Sequence, residues 1–278
     1  MFRQRDLLCG VEGEFGQRYC GPCGVYFLSP RVPENRIERH YPETYGPHQR
    51  NTDPRLIRKA ALAFGLEYRR RRIVERYVKR GNILDVGCGA GEFLELFGDG
   101  RWERYGTDVK EIASTRFKGT FHRCGFDRDR PPFLKKMDAI TLWHVFEHLY
   151  HPRAALENAS ALLKPEGTLF LAIPDVRCFE RLLFGRHWVG WDPPRHVATY
   201  SKKGIESLIS AAGFRLVDVV PDGCSSGMLA LNLEFVLRSF GIGARFSGSL
   251  ILRTLLYPVV LASNALGLAP AKVYVIQK

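Results

Sequence analysis

Short apolar runs alternate with helical patterns through the middle of the chain. Six such runs lie between residues 82 and 220, and the helical patterns between them are clearest at 152–163 and 202–212. This alternation is typical of a parallel sheet covered by helices on both faces. A seventh run follows near the end of the sequence. The predicted strands are Ile83–Val86, Arg104–Thr107, Thr120–Arg123, Ala139–Trp143, Thr168–Ile173, Leu216–Val220 and Lys272–Gln277.

Residues 51–278 are predicted to form the main domain, which starts with a basic helix. A helix-capping residue followed by proline at 52–54 predicts a helix that runs to about Arg80, with a break at Gly65. Between Arg55 and Arg80 there are ten basic residues and two acidic ones. A face of this kind attracts nucleic acid, an anionic membrane or an acidic substrate, or it simply faces the solvent.

Two further zones differ from this pattern. Residues 1–50 are rich in glycine, proline and aromatic residues, which predicts an irregular or β-ribbon appendage. Residues 224–270 contain all but the last residue of an uncharged stretch at 254–271, which is interrupted by two prolines. A membrane-spanning helix needs about 20 mainly apolar residues. Because the prolines interrupt this stretch, we expect a helical insertion packed on the core. The alternatives are peripheral contact with a membrane and a membrane-spanning helix.

Composition narrows the class of protein. The chain has 278 residues, 45% of them hydrophobic, and a formal net charge of +12. These values exclude a disordered tail, a collagen-like fibre and a polytopic membrane protein. Seven cysteines, an odd number spread over the chain, do not form a secreted disulfide framework. The first ten residues show charges and no apolar segment, so we expect no signal peptide and a cytoplasmic protein with reduced thiols.

A glycine-rich turn carries the clearest chemistry. Gly87, Gly89 and Gly91 follow the first predicted strand of the main domain and precede an apolar helix. A strand, a glycine turn and a helix in this order form a nucleotide-binding element at the edge of a sheet. Glu92 stands where the last glycine of the dinucleotide pattern would be, and its charge would repel a pyrophosphate.

These motifs resemble the class I S-adenosylmethionine-dependent methyltransferases. Residues 85–91 look like the first motif of that family, and Asp108 stands at the end of the second strand, where the family has an acid. Residues 137–149 and 163–169 resemble the motif of the fourth strand and the turn before the fifth. Residues 191–197 and 211–214 are similar to parts of a subgroup that includes ubiquinone-biosynthesis-like enzymes. The resemblance covers about residues 50–220 and the last strand.

The resemblance implies a fold and a cofactor. The fold is a doubly wound, seven-stranded, mostly parallel α/β sheet of the Rossmann-like kind, with the last strand antiparallel. The cofactor is S-adenosyl-L-methionine, and catalysis is chiefly the positioning of the reactants. By resemblance, Asp85 and the loop backbone hold the methionine end, Asp108 binds the ribose, and an aromatic and acidic pair addresses the adenine. The implied cofactor-binding residues are Asp85, Gly87, Cys88, Gly89, Gly91, Asp108, Phe126 and Asp127.

A hydroxyl acceptor requires a general base, and histidine has a suitable pKa. His196, in the Pro-Pro-Arg-His turn, is the first candidate, and His144, directly after the fourth strand, is the second. For each, the alternative is a histidine that only stabilises a loop. Trp188 and Trp191 form a lid over the acceptor or belong to the core. We expect no catalytic metal, because the spacing of His144 and His148 lacks a third ligand.

The N-terminal Cys20-Gly-Pro-Cys23 resembles the second half of the zinc ribbon found on some of these enzymes. Structural zinc needs four ligands, and the upstream cysteine pair is missing. We therefore expect a degenerate ribbon without metal, with bound zinc at Cys20 and Cys23 as the alternative.

The sequence thus predicts a methyltransferase that acts on a hydroxyl of a small molecule or of a lipid- or glycan-linked acceptor. The alternatives are an RNA methyltransferase, for which only the basic helix argues, and a non-catalytic cofactor-binding subunit. Nucleic acid is not an expected partner, whereas contact with a membrane through residues 224–270 stays open.

Overall fold

The computed structural model describes residues 2–42, 65–111, 118–223, 226–243 and 245–278. Its strands are β1 (Phe2–Gln4), β2 (Phe15–Cys20), β3 (Val25–Leu28), β4 (Gly81–Val86), β5 (Trp102–Asp108), β6 (Thr120–Arg123), β7 (Met137–Trp143), β8 (Leu163–Pro174), β9 (Ala198–Tyr200), β10 (Arg215–Pro221) and β11 (Ala271–Gln277). Its α-helices are α1 (Leu66–Tyr77), α2 (Glu92–Glu95), α3 (Pro152–Leu162), α4 (Phe179–Phe184), α5 (Lys202–Ala211), α6 (Ser226–Ser239) and α7 (Leu250–Ala265).

The chain forms two compact units, each built from several segments. The hairpin unit comprises Met1–Tyr45, Ile173–Ile205 and Gly223–Lys272. The sheet unit comprises Gly46–Ala172, Glu206–Asp222 and Val273–Lys278. The domain boundary predicted after residue 50 lies outside the described residues and stays a prediction.

A seven-stranded sheet has the order β10-β11-β8-β7-β4-β5-β6. The pairs β4–β5, β4–β7, β5–β6 and β7–β8 are parallel, and the sheet contains one antiparallel strand. All seven predicted strands are confirmed, and so is the doubly wound α/β fold. The central strands are buried on both faces, which explains why they are continuous apolar runs rather than alternating patterns.

The helix α1 begins directly after Gly65, where a break was predicted. The part of that prediction before Gly65 lies outside the described residues. Ile73 and Val74 face the core of the sheet unit, and Arg70 shares their buried face. An arginine on the apolar face of a helix requires a partner for its charge, because an unpaired buried guanidinium is costly.

In the hairpin unit, the strands β1, β2, β3 and β9 form a small antiparallel sheet. The first three strands belong to the predicted appendage, and of its two predicted forms, irregular or β-ribbon, they confirm the β-ribbon. Beside the sheet, Arg195 is fully buried and makes paired hydrogen bonds to the carboxylates of Asp6 and Asp192, at 2.5–2.9 Å. These two carboxylates compensate the buried charge.

The helices α6 and α7 pack against each other and form the predicted helical insertion. Their inner faces join a core in which Trp188 and Trp191 are 2% and 1% exposed. The two tryptophans are therefore core residues rather than a lid. The predicted insertion begins at Cys224, which lies outside the described residues. No helix within the described ranges is both long and apolar enough to cross a bilayer.

The expectation of reduced thiols is wrong for one pair of cysteines. The turn between β2 and β3 joins Cys20 and Cys23 in a disulfide. Their Cα atoms lie 5.3 Å apart, within the range that a disulfide requires. Free cysteines in the described residues are Cys9, Cys88, Cys124 and Cys178.

Candidate active site

The glycine turn between β4 and α2 has the backbone that its sequence requires. Gly87, Gly89 and Gly91 have φ values of 70°, 51° and 78°, in the left-handed region that L side chains rarely adopt. A Cβ atom on Gly87 would collide with Val145, whereas one on Gly89 would meet no atom within 4 Å. The turn is thus tight on its inner side and open at Gly89, where a ligand can approach the backbone.

Asp108 ends β5 beside this turn, as predicted. Its Oδ2 accepts a hydrogen bond from the backbone N–H of Gly89 at 3.0 Å, and Oδ1 accepts one from the N–H of Lys110 at 2.9 Å. The side chain is half-buried. Each carboxylate oxygen has more than one lone pair, so the group retains acceptor capacity for a diol.

Asp85 lies deeper, at the end of β4, and only 3% of it is exposed. Its Oδ1 accepts a hydrogen bond from the hydroxyl of Thr141 at 2.6 Å. Burial raises the pKa of Asp85 to about 8, against the smaller lowering effect of that hydrogen bond. This carboxyl group therefore binds its proton more tightly than an exposed aspartic acid does.

The remaining predicted cofactor residues are buried. Cys88 packs against Gly106, where an added Cβ would lie 2.8 Å from its sulfur, and burial raises the pKa of the thiol. Gly91 donates to the carbonyl of Cys88 at 2.8 Å and so closes the turn. The carbonyl of Phe126 accepts from Asn158, and Oδ2 of Asp127 accepts from the N–H groups of residues 150 and 151. In this structure Asp127 thus stabilises the start of α3.

His144 follows β7 and is held between two carboxylates. Its Nε2 lies 2.9 Å from Oδ2 of Asp222, and its Nδ1 lies 3.2 Å from Oε1 of Glu147. Burial lowers the pKa of His144, but the two carboxylates raise it more, to about 9. The ring is therefore an imidazolium at neutral pH, and both nitrogens donate. Its φ of 56° is an unfavourable left-handed conformation that these contacts hold in place.

Arg70, on the helix α1, joins His144, Glu147 and Asp222 to form an ionic cluster. Its guanidinium makes a paired interaction with Asp222, with Nε 3.0 Å from Oδ1 and Nη2 2.6 Å from Oδ2. It also donates to Glu67 at 3.3 Å and lies over the ring of Trp143 at 4.8 Å. Burial alone would raise the pKa of Asp222, but Arg70 and His144 hold it well below its usual range.

Neither Arg70 nor Asp222 was predicted from the sequence to be a site residue. The two residues are 152 positions apart, and Arg70 is one of four consecutive arginines. One signal does distinguish it, because Arg70 precedes Ile73 and Val74 by three and four positions and so shares their apolar face. Asp222 is similarly marked, since it lies two residues after the predicted strand Leu216–Val220, at the edge of the sheet where sites form.

The first candidate base, His196, belongs to the hairpin unit. It is 9% exposed, and its Nδ1 lies 2.8 Å from the carbonyl oxygen of Gly190. The carbonyl oxygen only accepts, so Nδ1 is the donor of this hydrogen bond.

The geometry at the carboxyl edge of the sheet fits an adenosyl cofactor. An open glycine turn and a half-buried carboxylate on the neighbouring strand are suited to a backbone-bound chain and a sugar diol. The model of a family described as a methyltransferase domain matches residues 40–219. The chain belongs to this family. Membership makes it an S-adenosylmethionine-dependent methyltransferase.

Individual relatives of this methyltransferase are distant. The ubiquinone biosynthesis O-methyltransferase of Coxiella burnetii is 25% identical over 157 residues, which cover 51% of this chain and 67% of that protein. A SAM-dependent methyltransferase from Archaeoglobus fulgidus superposes with a TM-score of 0.52 at 19% identity, covering 80% and 94% of the two chains. An O-methyltransferase from a Brevibacillus brevis multienzyme, solved with S-adenosyl-L-homocysteine, gives 0.52 at 18% identity, with 89% and 81% covered. The two structures confirm the fold.

Proposed function

We propose that this methyltransferase transfers a methyl group to a hydroxyl oxygen of a small molecule or of a lipid- or glycan-linked acceptor. The observation that carries the proposal is the pairing of the open glycine turn with Asp108 on the next strand. S-adenosyl-L-methionine supplies an electrophilic methyl group when it is bound. The protein's task is then to hold the donor and to prepare the acceptor oxygen.

Asp108 is proposed to bind the two ribose hydroxyls, because one carboxylate can accept from both. Asp85 and the backbone at Gly87 and Gly89 are proposed to hold the methionine end. For the adenine we propose Phe126 and Asp127. The hydrogen bonds that Asp127 already accepts make it the weaker member of this set.

His196 is proposed as the general base for the hydroxyl proton. A base needs an unprotonated nitrogen, and the tautomer fixed by Gly190 leaves Nε2 in that role. His144 is a poorer candidate, since its raised pKa keeps it protonated at neutral pH. His196 therefore remains the first candidate for the base. For His144 we propose a different role, as the cation that pairs with Asp222 and Glu147.

Oxygen as the methylated atom is supported by the names of two relatives, from Coxiella burnetii and Brevibacillus brevis, which are O-methyltransferases. RNA as the acceptor has less support, because part of the basic segment is neutralised. Arg70 pairs with Asp222, and Arg71 pairs with Glu75 and Asp99. Methyl transfer to RNA would fall steeply with added salt.

The test uses the full chain with radiolabelled S-adenosyl-L-methionine and a panel of phenols, sugars and polyprenyl-linked alcohols. We expect label in an alkali-stable ether product and a loss of at least tenfold in kcat for His196→Ala at neutral pH. His122→Ala, at a histidine on β6, is the matched control and should retain full activity. Cofactor uptake without transfer to any acceptor would favour a non-catalytic subunit, and transfer to nitrogen would contradict the hydroxyl proposal.

A further inference from the structure

The hairpin formed by α6 and α7 exposes an unusual amount of apolar surface. On most helices of this length one face is polar, but in α7 only Val260 and Ser263 are buried and only Arg253 is charged. Soluble monomers rarely expose a contiguous apolar patch of more than a few hundred Å². The exposed large apolar residues of the hairpin, 40–76% accessible, are Met228, Phe240, Ile242, Leu250, Ile251, Leu255, Tyr257, Val259, Leu261 and Leu266.

This surface is attached firmly to the rest of the hairpin unit. Leu256 and Val260 pack into the core that also contains Phe235 of α6. The connection between the helices is held by Glu234, whose Oε1 accepts from the backbone N–H of Phe246 at 2.6 Å. The apolar side chains are thus presented on a fixed support.

The charges of the hairpin have one sign at its surface. Glu234 is 1% exposed, and its other oxygen pairs with Arg238 at 2.9 Å. No acidic residue follows Glu234 in the sequence, whereas Arg245 and Arg253 are exposed. Arg253 and Tyr257 lie one helical turn apart, on the same flank of α7. A partner must therefore accept apolar side chains and arginines together.

We infer that the α6–α7 hairpin docks this methyltransferase on an anionic lipid bilayer. Apolar and aromatic side chains enter the region between headgroups and acyl chains, while arginines at the margin reach lipid phosphates. The inferred binding is peripheral, through the exposed apolar side chains of the hairpin. The inference deepens the proposed function and rests on it for one point only, that the acceptor hydroxyl is carried by a lipid-linked molecule.

The decisive experiment is flotation of the full chain with vesicles of phosphatidylcholine alone or with about 30% phosphatidylglycerol, which gives the vesicles a negative surface potential. We expect binding to the anionic vesicles that weakens with salt. The variant with Ile251→Ser, Leu255→Ser and Leu261→Ser should lose at least tenfold in vesicle affinity. Leu134→Ser, at a fully exposed leucine of the sheet unit, is the matched control and should bind normally.

A second variant separates charge from apolar burial. The double variant Arg245→Gln with Arg253→Gln should reduce the preference for anionic over neutral vesicles several-fold. Its residual binding to neutral vesicles should be unchanged. Both residues are exposed, so the substitutions leave the core intact.

Two results would overturn the inference. One is that the wild-type chain stays with the unbound fraction at every lipid composition. The other is that light scattering shows a dimer that the triple serine variant converts to a monomer, because a second copy would then cover the surface. Uptake of labelled cofactor, measured on the same samples, tests the proposed function independently of docking.

Discussion

The sheet edge and the helical hairpin differ in the kind of side chain that they place in an unfavourable environment. At the sheet edge, charges are removed from water and need partners, as Arg70, Asp222 and His144 show. In the hairpin, apolar side chains such as Leu255 remain in water, because no described residue of their own unit covers them. The first arrangement is stable only as a whole, because each ion depends on the others. The second is a set of nearly independent side chains, each of which can change at little cost to the fold.

The strongest test of this contrast is Asp222→Ala. The change leaves Arg70 buried without its paired carboxylate and removes one of two partners of His144. Breaking a buried pair of this kind costs about 3–5 kcal/mol of unfolding free energy, measured by urea denaturation. Glu157→Ala, which breaks the exposed pair with Arg153, is the control and should change stability by less than about 0.5 kcal/mol. Equal effects would remove the distinction between the two kinds of ion pair.

A second test concerns the cofactor contact at the same edge. Asp108→Ala removes charge-assisted hydrogen bonds that are each worth about 1.5–3 kcal/mol. We expect the Kd for S-adenosyl-L-methionine, measured by calorimetry, to rise at least about tenfold. Asp129→Ala, at an exposed aspartate outside the site, should leave the Kd unchanged. Unchanged affinity in folded Asp108→Ala protein would end the ribose assignment.

The ionic cluster also predicts a pH dependence. The pKa of His144 is about 9 in the folded chain, above its ordinary value of 6.5, so the folded state binds the proton more tightly. Its contribution is complete below about pH 6.5 and is lost as the pH rises through 9. Because the side chain is 37% exposed, we discount the full linkage value to about 1–2 kcal/mol. His144→Gln should remove this part of the decline in stability, and a parallel decline in both proteins would contradict it.

The smallest effect is expected in the hairpin. Leu255→Ser, at a side chain that is 70% exposed, should change the unfolding free energy by no more than about 0.5 kcal/mol. Val260→Ala on the same helix, at 2% exposure, should cost about 1–3 kcal/mol because it leaves a cavity. Circular dichroism during thermal unfolding measures both. A large loss for Leu255→Ser would mean that another part of the protein covers it.

Local patterns explain why the sheet was predictable and the ionic cluster was not. Strands such as β4 and β7 are continuous apolar runs, and the glycine turn requires left-handed backbone that few residues other than glycine adopt. These features depend on neighbouring residues. The partnership of Arg70 with Asp222 depends instead on the order of strands, which places distant carboxyl ends together.

The two candidate histidines show the same difference between what neighbours in the sequence determine and what neighbours in space determine. Sequence reasoning ranked His144 as a base because of its place after a strand, but its protonation is set by Asp222 and Glu147. A residue's pKa depends on burial and on neighbours in space. For His196 the predicted role stays a prediction.

The cluster around Arg195 has a practical consequence for anyone who shortens the chain. Asp6 supplies one of the two carboxylates that bind this guanidinium. Deletion of the first six residues would therefore leave the cation of Arg195 buried in the hairpin unit with only one of its carboxylate partners. Expression vectors should therefore keep the amino-terminal strand and place an affinity tag at the other terminus.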